Sequence, residues 1–385
     1  MIGLKFFHTA DWHLGKLVHG IYMTQDQREA LKQFVQLVEE EKPDAIVIAG
    51  DLYDRSVPPT EAVELLDEML YKLNVELKTP IVAISGNHDS AERLSFGSSW
   101  YRNSDFYLTG KLDKDFRPVH INGVNFYLVP YAEPGIVREL LENDAVHTHQ
   151  EAMRAIIDKI EKNMNHREPN VFVGHAFVLG GQVSDSERTL SVGGSGCVGA
   201  ELFAPFSYTA LGHLHSPDAI RHDTVKYSGS LLKYSFSEAK QNKSISIIEM
   251  NENGEFEQRY RSLAPKLDMR EIEGHLEELL DPSFYEKQKC DDYLKVTLLD
   301  DGALLDPINK LRQIYPNVLH LERNISLKDM KKKQNFAVVK EERKSELELF
   351  EQFYQEMTTA DFTDQKREAI SDVIEKVHKE VGDHK

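Results

Sequence analysis

The sequence predicts an α/β fold built around a parallel sheet. Two observations predict it. Short, wholly apolar runs such as Ala45-Ile46-Val47-Ile48-Ala49 alternate with stretches whose apolar residues recur at helical spacing, the pattern of buried strands joined by helices. These runs also end alike, most of them in a glycine followed at once by aspartate, asparagine or histidine. In open α/β sheets, side chains just beyond the carboxyl ends of parallel strands converge on one crevice.

In chain order, residues 4–8 are strand-like, and residues 28–41 carry Leu31, Phe34, Val35 and Val38 at helical spacing. The run 45–49 stops at Gly50. Pro59-Thr60 opens a second helix, with Val63, Leu66, Leu70 and Leu73 expected on one face. The run 80–85 halts at Gly86, and further strands are expected at 125–129, 171–173, 208–211 and 244–250. Near Leu263-Ala264-Pro265 the rhythm changes, which bounds a first domain at 1–265. A strand at 294–299, a helix at 307–314 and a strand at 318–321 then suggest a small α+β unit over 266–330. The remainder, 331–385, opens on Lys331-Lys332-Lys333, read as an exposed hinge. Two amphipathic helices follow, one with Leu347, Phe350, Tyr354 and Met357, the other with Ile370, Val373, Ile374, Val377 and Val381.

The 385 residues, 41% hydrophobic and 29% charged, have ample material for a core. A formal net charge of −18 argues against coating nucleic acid by bulk electrostatics. It leaves room for a local basic patch, bound cations or a partner that supplies the grip. No apolar run is long enough to span a bilayer, and the first residues do not read as a signal peptide. Cys197 and Cys290 are the only cysteines, so neither a disulfide framework nor a thiolate metal cage is expected; a reducing cytoplasm is. No P-loop is present. Gly194-Ser195-Gly196-Cys197-Val198-Gly199 fits a dinucleotide fingerprint literally, but no apolar strand leads into it, and it reads as a loop.

The strand ends carry the chemistry. They are Asp11-Trp12-His13, Gly50-Asp51-Leu52-Tyr53-Asp54, Gly86-Asn87-His88-Asp89, Gly174-His175 and Gly212-His213-Leu214-His215. Carboxylate, amide oxygen and imidazole without thiolate suit Mn²⁺, Fe²⁺ or Zn²⁺. Two ions roughly 3.5–4 Å apart need a bridging carboxylate, and Asp51 is the natural candidate. One Asp-x-His, or one buried histidine, would be an ordinary core feature. Five such endings in succession predict a dinuclear metal centre.

In order these are D-x-H, G-D-x-x-D, G-N-H-[DE], G-H and G-H-x-H, and the sequence thereby resembles the calcineurin-like metallophosphoesterases. The phrases "HTADWHLGK" (8–16), "AGDLYDRSVPP" (49–59), "ISGNHDS" (84–90), "YTALGHLH" (208–215), "YSGSLLKYSFSE" (227–238) and "LFEQFYQEMT" (349–358) are similar to the DNA-processing branch, the nuclease subunits of SbcCD-type complexes. The resemblance implies a two-sheet β-sandwich flanked by helices, a small α+β capping domain over 266–330 and C-terminal helices that dock the SbcC ATPase. It implies one metal on Asp11, His13, Asp51 and His215 and another on Asp51, Asn87, His175 and His213, both most plausibly Mn²⁺. His88 would face the scissile phosphate, Asp54 would orient it, and Asp89 would fix the turn. The implied activity is 3′–5′ exonuclease action on double-stranded DNA and endonuclease action on single strands or hairpins, in DNA replication, recombination and repair. The implied assembly is a homodimer with two ATPase copies. The competing expectations are a phosphodiesterase for a small nucleotide and a non-catalytic scaffold clamping an ATPase.

Overall fold

The computed structural model describes residues 3–187, 196–301 and 304–324, and beyond these 345, 347, 349–351, 354 and 362–382, with side chains to 374. The Lys331-Lys332-Lys333 hinge, Met357, Gly194, Ser195 and the side chains of Val377 and Val381 lie outside the described residues. The chain divides into two compact units, Met1–Arg323 and Asn324–Lys385.

Two sheets lie face to face in the first unit. The first contains β1 (Leu4–Thr9), β2 (Ala45–Ala49), β3 (Ile81–Ile84), β4 (Phe106–Thr109), β10 (Ser244–Met250) and β11 (Phe256–Ser262), in the order β11-β10-β1-β2-β3-β4. Strands β1 to β4 run parallel, and β10 joins β1 antiparallel. The second contains β5 (Val119–Ile121), β6 (Val124–Val129), β7 (Asn170–His175), β8 (Tyr208–Gly212) and β9 (Val225–Tyr227), in the order β9-β8-β7-β6-β5, with only the β5–β6 hairpin antiparallel.

The two-residue period of a strand builds three layers of core from these sheets. Phe6, Val47, Val82, Val171, Val173 and Tyr208 point between the sheets. Their neighbours Phe7, Ile46, Ile48, Ile81 and Ala83 point outward against α1 (Thr24–Glu41) and α2 (Thr60–Leu70). On the far side Phe172 and Leu211 meet α3 (Pro134–Leu141) and α4 (His149–Glu161). Helices outside two packed sheets bury both faces of the central strands, which is why β2 reads as a continuous apolar run rather than an alternation.

The buried face of α2 differs from the expected one. Val63 is 44% exposed, while Ala62, Leu65, Leu66 and Met69 are buried. The helix then widens into a π turn over Tyr71–Glu76, which brings Leu73 back into the core.

A third sheet, β12 (Met269–Gly274), β13 (Tyr293–Leu298) and β14 (Val318–Arg323), is wholly parallel, with α5 (Pro307–Arg312) crossing between the last two. Its own core is Ile272, Leu276, Leu279, Leu294, Val296, Leu298, Leu311, Tyr315 and Val318. Met269 and Tyr293 instead join the core behind the first sheet, and Tyr293 Oη donates to Asp26 at 2.8 Å. In the second unit, α6 (Asp364–Gly382) is the longest helix described. Phe362 lies beside Phe350 and Tyr354, and Lys366 donates to Tyr354 Oη at 2.7 Å.

Candidate metal centre

The loops leaving β1 and β2 are zipped side by side. Asp11 N donates to Gly50 O (3.0 Å), His13 N to Asp51 O (2.9 Å) and Leu14 N to Leu52 O (2.9 Å). Four residues here have left-handed backbones although none is glycine: Asp11 (φ 53°), His13 (φ 47°), Asp51 (φ 51°) and His213 (φ 104°). Strain of this kind costs on the order of 1–3 kcal/mol per residue and persists only where the surroundings impose it. Gly86 admits the central carboxylate, since a Cβ there would lie 2.2 Å from Asp51 Oδ1.

All seven expected ligands meet in one buried cluster. Asp51 Oδ2 lies 3.4 Å from His175 Nε2 and 3.6 Å from His13 Nε2. On one side, Asp11, His13 and His215 offer ligand atoms within 4.8 Å of one another; on the other, Asp11, Asp51 and His175 do the same. Asn87 Oδ1 sits 2.8 Å from His175 Nε2 and 3.3 Å from His213 Nδ1. Asp11 belongs to both groups, Asp51 Oδ2 lies between His13 and His175, and His13, Asp51 and His88 form a third such group.

The donor set fits cations. His13 Nδ1 and Asn87 Nδ2 are buried with no hydrogen-bond partner. His13 Nε2 and His215 Nε2 face each other at 3.1 Å, two ring nitrogens aimed into one space. His175 Nδ1 donates to Ala49 O at 2.9 Å, which fixes the ring with Nε2 directed at Asp51 and Asn87. Burial alone would keep His175 neutral, yet the Asp51 and Asp11 carboxylates raise it to about 9. Burial pushes Asp11 well above the usual carboxylate range, whereas Asp51 is held well below it because His175, His13 and His88 outweigh its desolvation. Two buried carboxylates thus draw in positive charge, and protons or metal ions can supply it.

His88 stands half-buried at the edge of the cluster, its ring 4.7 Å from that of His13. Its Nδ1 donates to the backbone carbonyl of Asp54 at 2.7 Å. Asp54 therefore holds His88 through its main chain; its carboxylate takes Lys16 Nζ at 2.7 Å instead. Asp89 fixes the turn, accepting from Gly86 N, Leu52 N and Tyr53 N at 2.9–3.1 Å.

Residues 4–217 match the calcineurin-like phosphoesterase family model, and residues 265–358 match the type 5 capsule protein repressor C-terminal domain. The SbcD nuclease of the SbcCD pair in Staphylococcus epidermidis is 38% identical over 355 residues, covering 92% of this chain and 94% of that protein. The chain belongs to the SbcD family of calcineurin-like phosphoesterases. Solved structures similar in shape include a dimetal phosphatase from Danio rerio (12% identity, TM-score 0.44, 69% of this chain and 98% of that one). Another is TT1561 of Thermus thermophilus (13% identity, TM-score 0.41, 67% of this chain and 99% of that one).

Several members of this SbcD-family site carry no local sequence signal. Tyr234 packs its ring against both His13 (5.7 Å) and His215 (5.9 Å) and donates to Trp12 O at 2.5 Å. Gln27 donates to His13 O at 2.7 Å from α1. Lys16 lies over the Tyr234 ring at 5.4 Å. Tyr234 falls within the phrase "YSGSLLKYSFSE" and Lys16 closes "HTADWHLGK", so family resemblance points to both, and Gln27 alone lies in no such phrase. Cys197–Val198, read as loop, pairs with Phe177–Val178 in a short parallel ribbon. Among the described residues, no helix is long and apolar enough to cross a membrane.

Proposed function

We propose that this chain hydrolyses DNA phosphodiesters with two Mn²⁺ ions, as a 3′–5′ exonuclease on double-stranded ends and an endonuclease on single strands and hairpins. The observation that carries the reading is the pair of buried carboxylates, Asp11 and Asp51, set among four imidazoles and an amide oxygen. Asp11, His13, Asp51 and His215 would hold one cation; Asp51, Asn87, His175 and His213 the other. Bound there, the cations would neutralise the phosphodiester charge and lower the pKa of a nucleophilic water.

The chain's own residues do the rest. The Asp54 carbonyl can only accept, so Nδ1 of His88 carries hydrogen and Nε2 remains to exchange a proton with the departing oxygen. His88→Asn should lower cleavage of hairpin DNA by about 10²–10⁴-fold while two Mn²⁺ per chain are retained. Loss of the metals in that variant would refute this division of labour. The same assay on blunt-ended and hairpin DNA, against a cyclic nucleotide, separates a nuclease from a small-nucleotide phosphodiesterase.

The reading extends to partners in DNA replication, recombination and repair in the cytoplasm. Val63, Tyr71, Val75, Phe96 and Trp100 expose apolar surface along α2, the π turn that follows it and the segment 91–104, which supports a homodimer. The C-terminal helices are proposed to dock the SbcC ATPase, two copies of each chain, by laying an apolar face in a groove. Undiminished ATPase binding after deletion of residues 340–385 would defeat that assignment. The sheet β12–β14 is proposed to cap and position the DNA.

A further inference from the structure

His215 is gripped at every polar atom that does not face the metal centre. Its N–H donates to Glu187 Oε1 at 2.7 Å, and its carbonyl accepts from Lys243 Nζ at 2.8 Å. Its Nδ1 lies 2.7 Å from Ser186 Oγ. Ser186 in turn bonds Glu238 Oε1, and Glu238 Oε2 accepts from Lys243 Nζ at 2.5 Å. Glu238 and Lys243 are both buried. These groups come from two separate stretches of chain, 186–187 and 238–243, and no strand-end motif contains them.

Hydrogen positions along this chain follow from the ends. Glu238 Oε2 is paired with the buried Lys243 ammonium at 2.5 Å, and Oε1 accepts from Ser235 Oγ at 3.0 Å and Tyr234 N at 3.3 Å, the surroundings of an ionised carboxylate. An ionised carboxylate only accepts, so the single hydroxyl hydrogen of Ser186 is directed to Glu238. Ser186 Oγ must then accept from His215 Nδ1–H. That selects one tautomer, with Nε2 left as a bare lone pair. Nε2 is the atom facing His13 Nε2 at 3.1 Å, in the cluster with Asp11.

We propose that Ser186 and Glu238 are positioning residues of the metal centre: a serine-relayed carboxylate, charge-balanced by Lys243, that fixes the tautomer and ring angle of His215 for the cation on the Asp11 side. The proposal rests on the dinuclear reading of the cluster. Outer partners of ligating histidines typically carry about 10–100-fold of metal affinity. The relay differs from a direct carboxylate–histidine pair in its interposed hydroxyl. The 3.5 Å between His215 Nδ1 and Glu238 Oε1 is too long for a hydrogen bond without it.

The test is calorimetric titration of Mn²⁺ alone into the metal-stripped full chain, for the wild type, Ser186→Ala and Ser186→Thr. The melting temperature of each metal-free form is measured alongside. Glu238 is a poor first target, because its loss strands Lys243 in the core. The expected result is two sites in the wild type, one of them weakened about 10–100-fold in Ser186→Ala at an unchanged melting temperature, and recovered in Ser186→Thr. A wild-type isotherm in Ser186→Ala would overturn the relay alone, as would equal weakening in both variants. A wild-type chain that binds no Mn²⁺ would overturn the dinuclear reading beneath it.

Discussion

Two parallel arrays in this chain invite comparison: the strand ends of β1, β2, β3, β7 and β8, and those of the small sheet β12–β14. Both are parallel strands over a hydrophobic core. In the first array the strands lead into Asp11, His13, Asp51 and His213, all left-handed, all buried. In the second, β12 leads into Gly274-His275, the start of a short helix with its own cap, and β13 into Leu299-Asp300, whose carboxylate caps Leu276 N at 2.7 Å. Polar residues at the second set of ends satisfy backbone donors; at the first set they are turned inward, strained and left with unfilled lone pairs. Parallel strands supply the geometry for a site, but strain and unsatisfied donors mark where one is used.

The largest effect should come from the residue shared by both halves of the centre. Asp51→Asn should empty both metal positions and lower cleavage by more than the roughly 10²–10³-fold typical of removing one electrostatic contact. Metal analysis by mass spectrometry checks the first part, hairpin DNA cleavage the second. Full occupancy in this variant would mean the two arrays differ less than the geometry implies.

Gly86→Ala probes the same centre through the backbone. The new Cβ would meet Asp51 Oδ1 at 2.2 Å and Asp51 N at 2.5 Å. The carboxylate must move, so metal content should fall, with a stability loss of about 1–3 kcal/mol in denaturant unfolding. A glycine substitution in the small sheet makes the contrast: at Gly274 the nearest atom is Leu279 Cδ2 at 3.1 Å, a flexible side-chain end. Gly274→Ala should leave Mn²⁺ binding unaltered.

The contrast also explains what the sequence made legible. Glycine followed by a ligand-type residue is a local signal, and it marked β2, β3, β7 and β8; β1 was marked by Asp11-x-His13 alone, and together these endings contain all seven clustered residues. The relay behind His215 was not legible: Glu238 closes the phrase 227–238, but Ser186, Glu238 and Lys243 are ordinary polar residues that acquire a role only when folding brings 29 and 52 residues of separation down to hydrogen-bond distance. Strand β12 was missed for another reason. Its sequence Met269-Arg270-Glu271-Ile272-Glu273-Gly274 exposes charges on one face, so it lacks the apolar run that announced the central strands. On α2 three of the four expected core residues, Leu66, Leu70 and Leu73, do pack inward and Val63 does not; the buried face is turned toward Ala62, Leu65 and Met69, and the π turn at Tyr71 returns Leu73 to it.

Leu294→Ala should cost about 2–5 kcal/mol of unfolding free energy, since Leu294 is fully buried in the small sheet's core. Metal content should be unchanged. A simultaneous loss of Mn²⁺ would show that the two arrays are coupled rather than merely joined.

The smallest effect lies at the seam between them. Tyr293 Oη donates to Asp26 Oδ2 at 2.8 Å, linking β13 to α1. Burial raises the Asp26 carboxyl above its ordinary range, and the Tyr293 bond opposes that rise by favouring the ionised form. Tyr293→Phe removes the opposition, so the folded-state pKa of Asp26 moves higher still. A carboxyl raised on folding binds more protons in the native than in the unfolded state, so its stability contribution falls as pH rises through the interval between the two pKa values. The deficit of the variant relative to wild type should therefore be smallest in acid, grow as pH climbs past the ordinary carboxylate range, and level off once Asp26 is ionised in both proteins. Its plateau should be about 0.5–1.5 kcal/mol, the net worth of one hydrogen bond. Urea unfolding of both proteins from pH 4 to pH 8 reads it directly. A deficit that shrinks toward neutral pH would mean that Asp26 is protonated in the folded wild type, and that the bond runs from the carboxyl to the phenol instead.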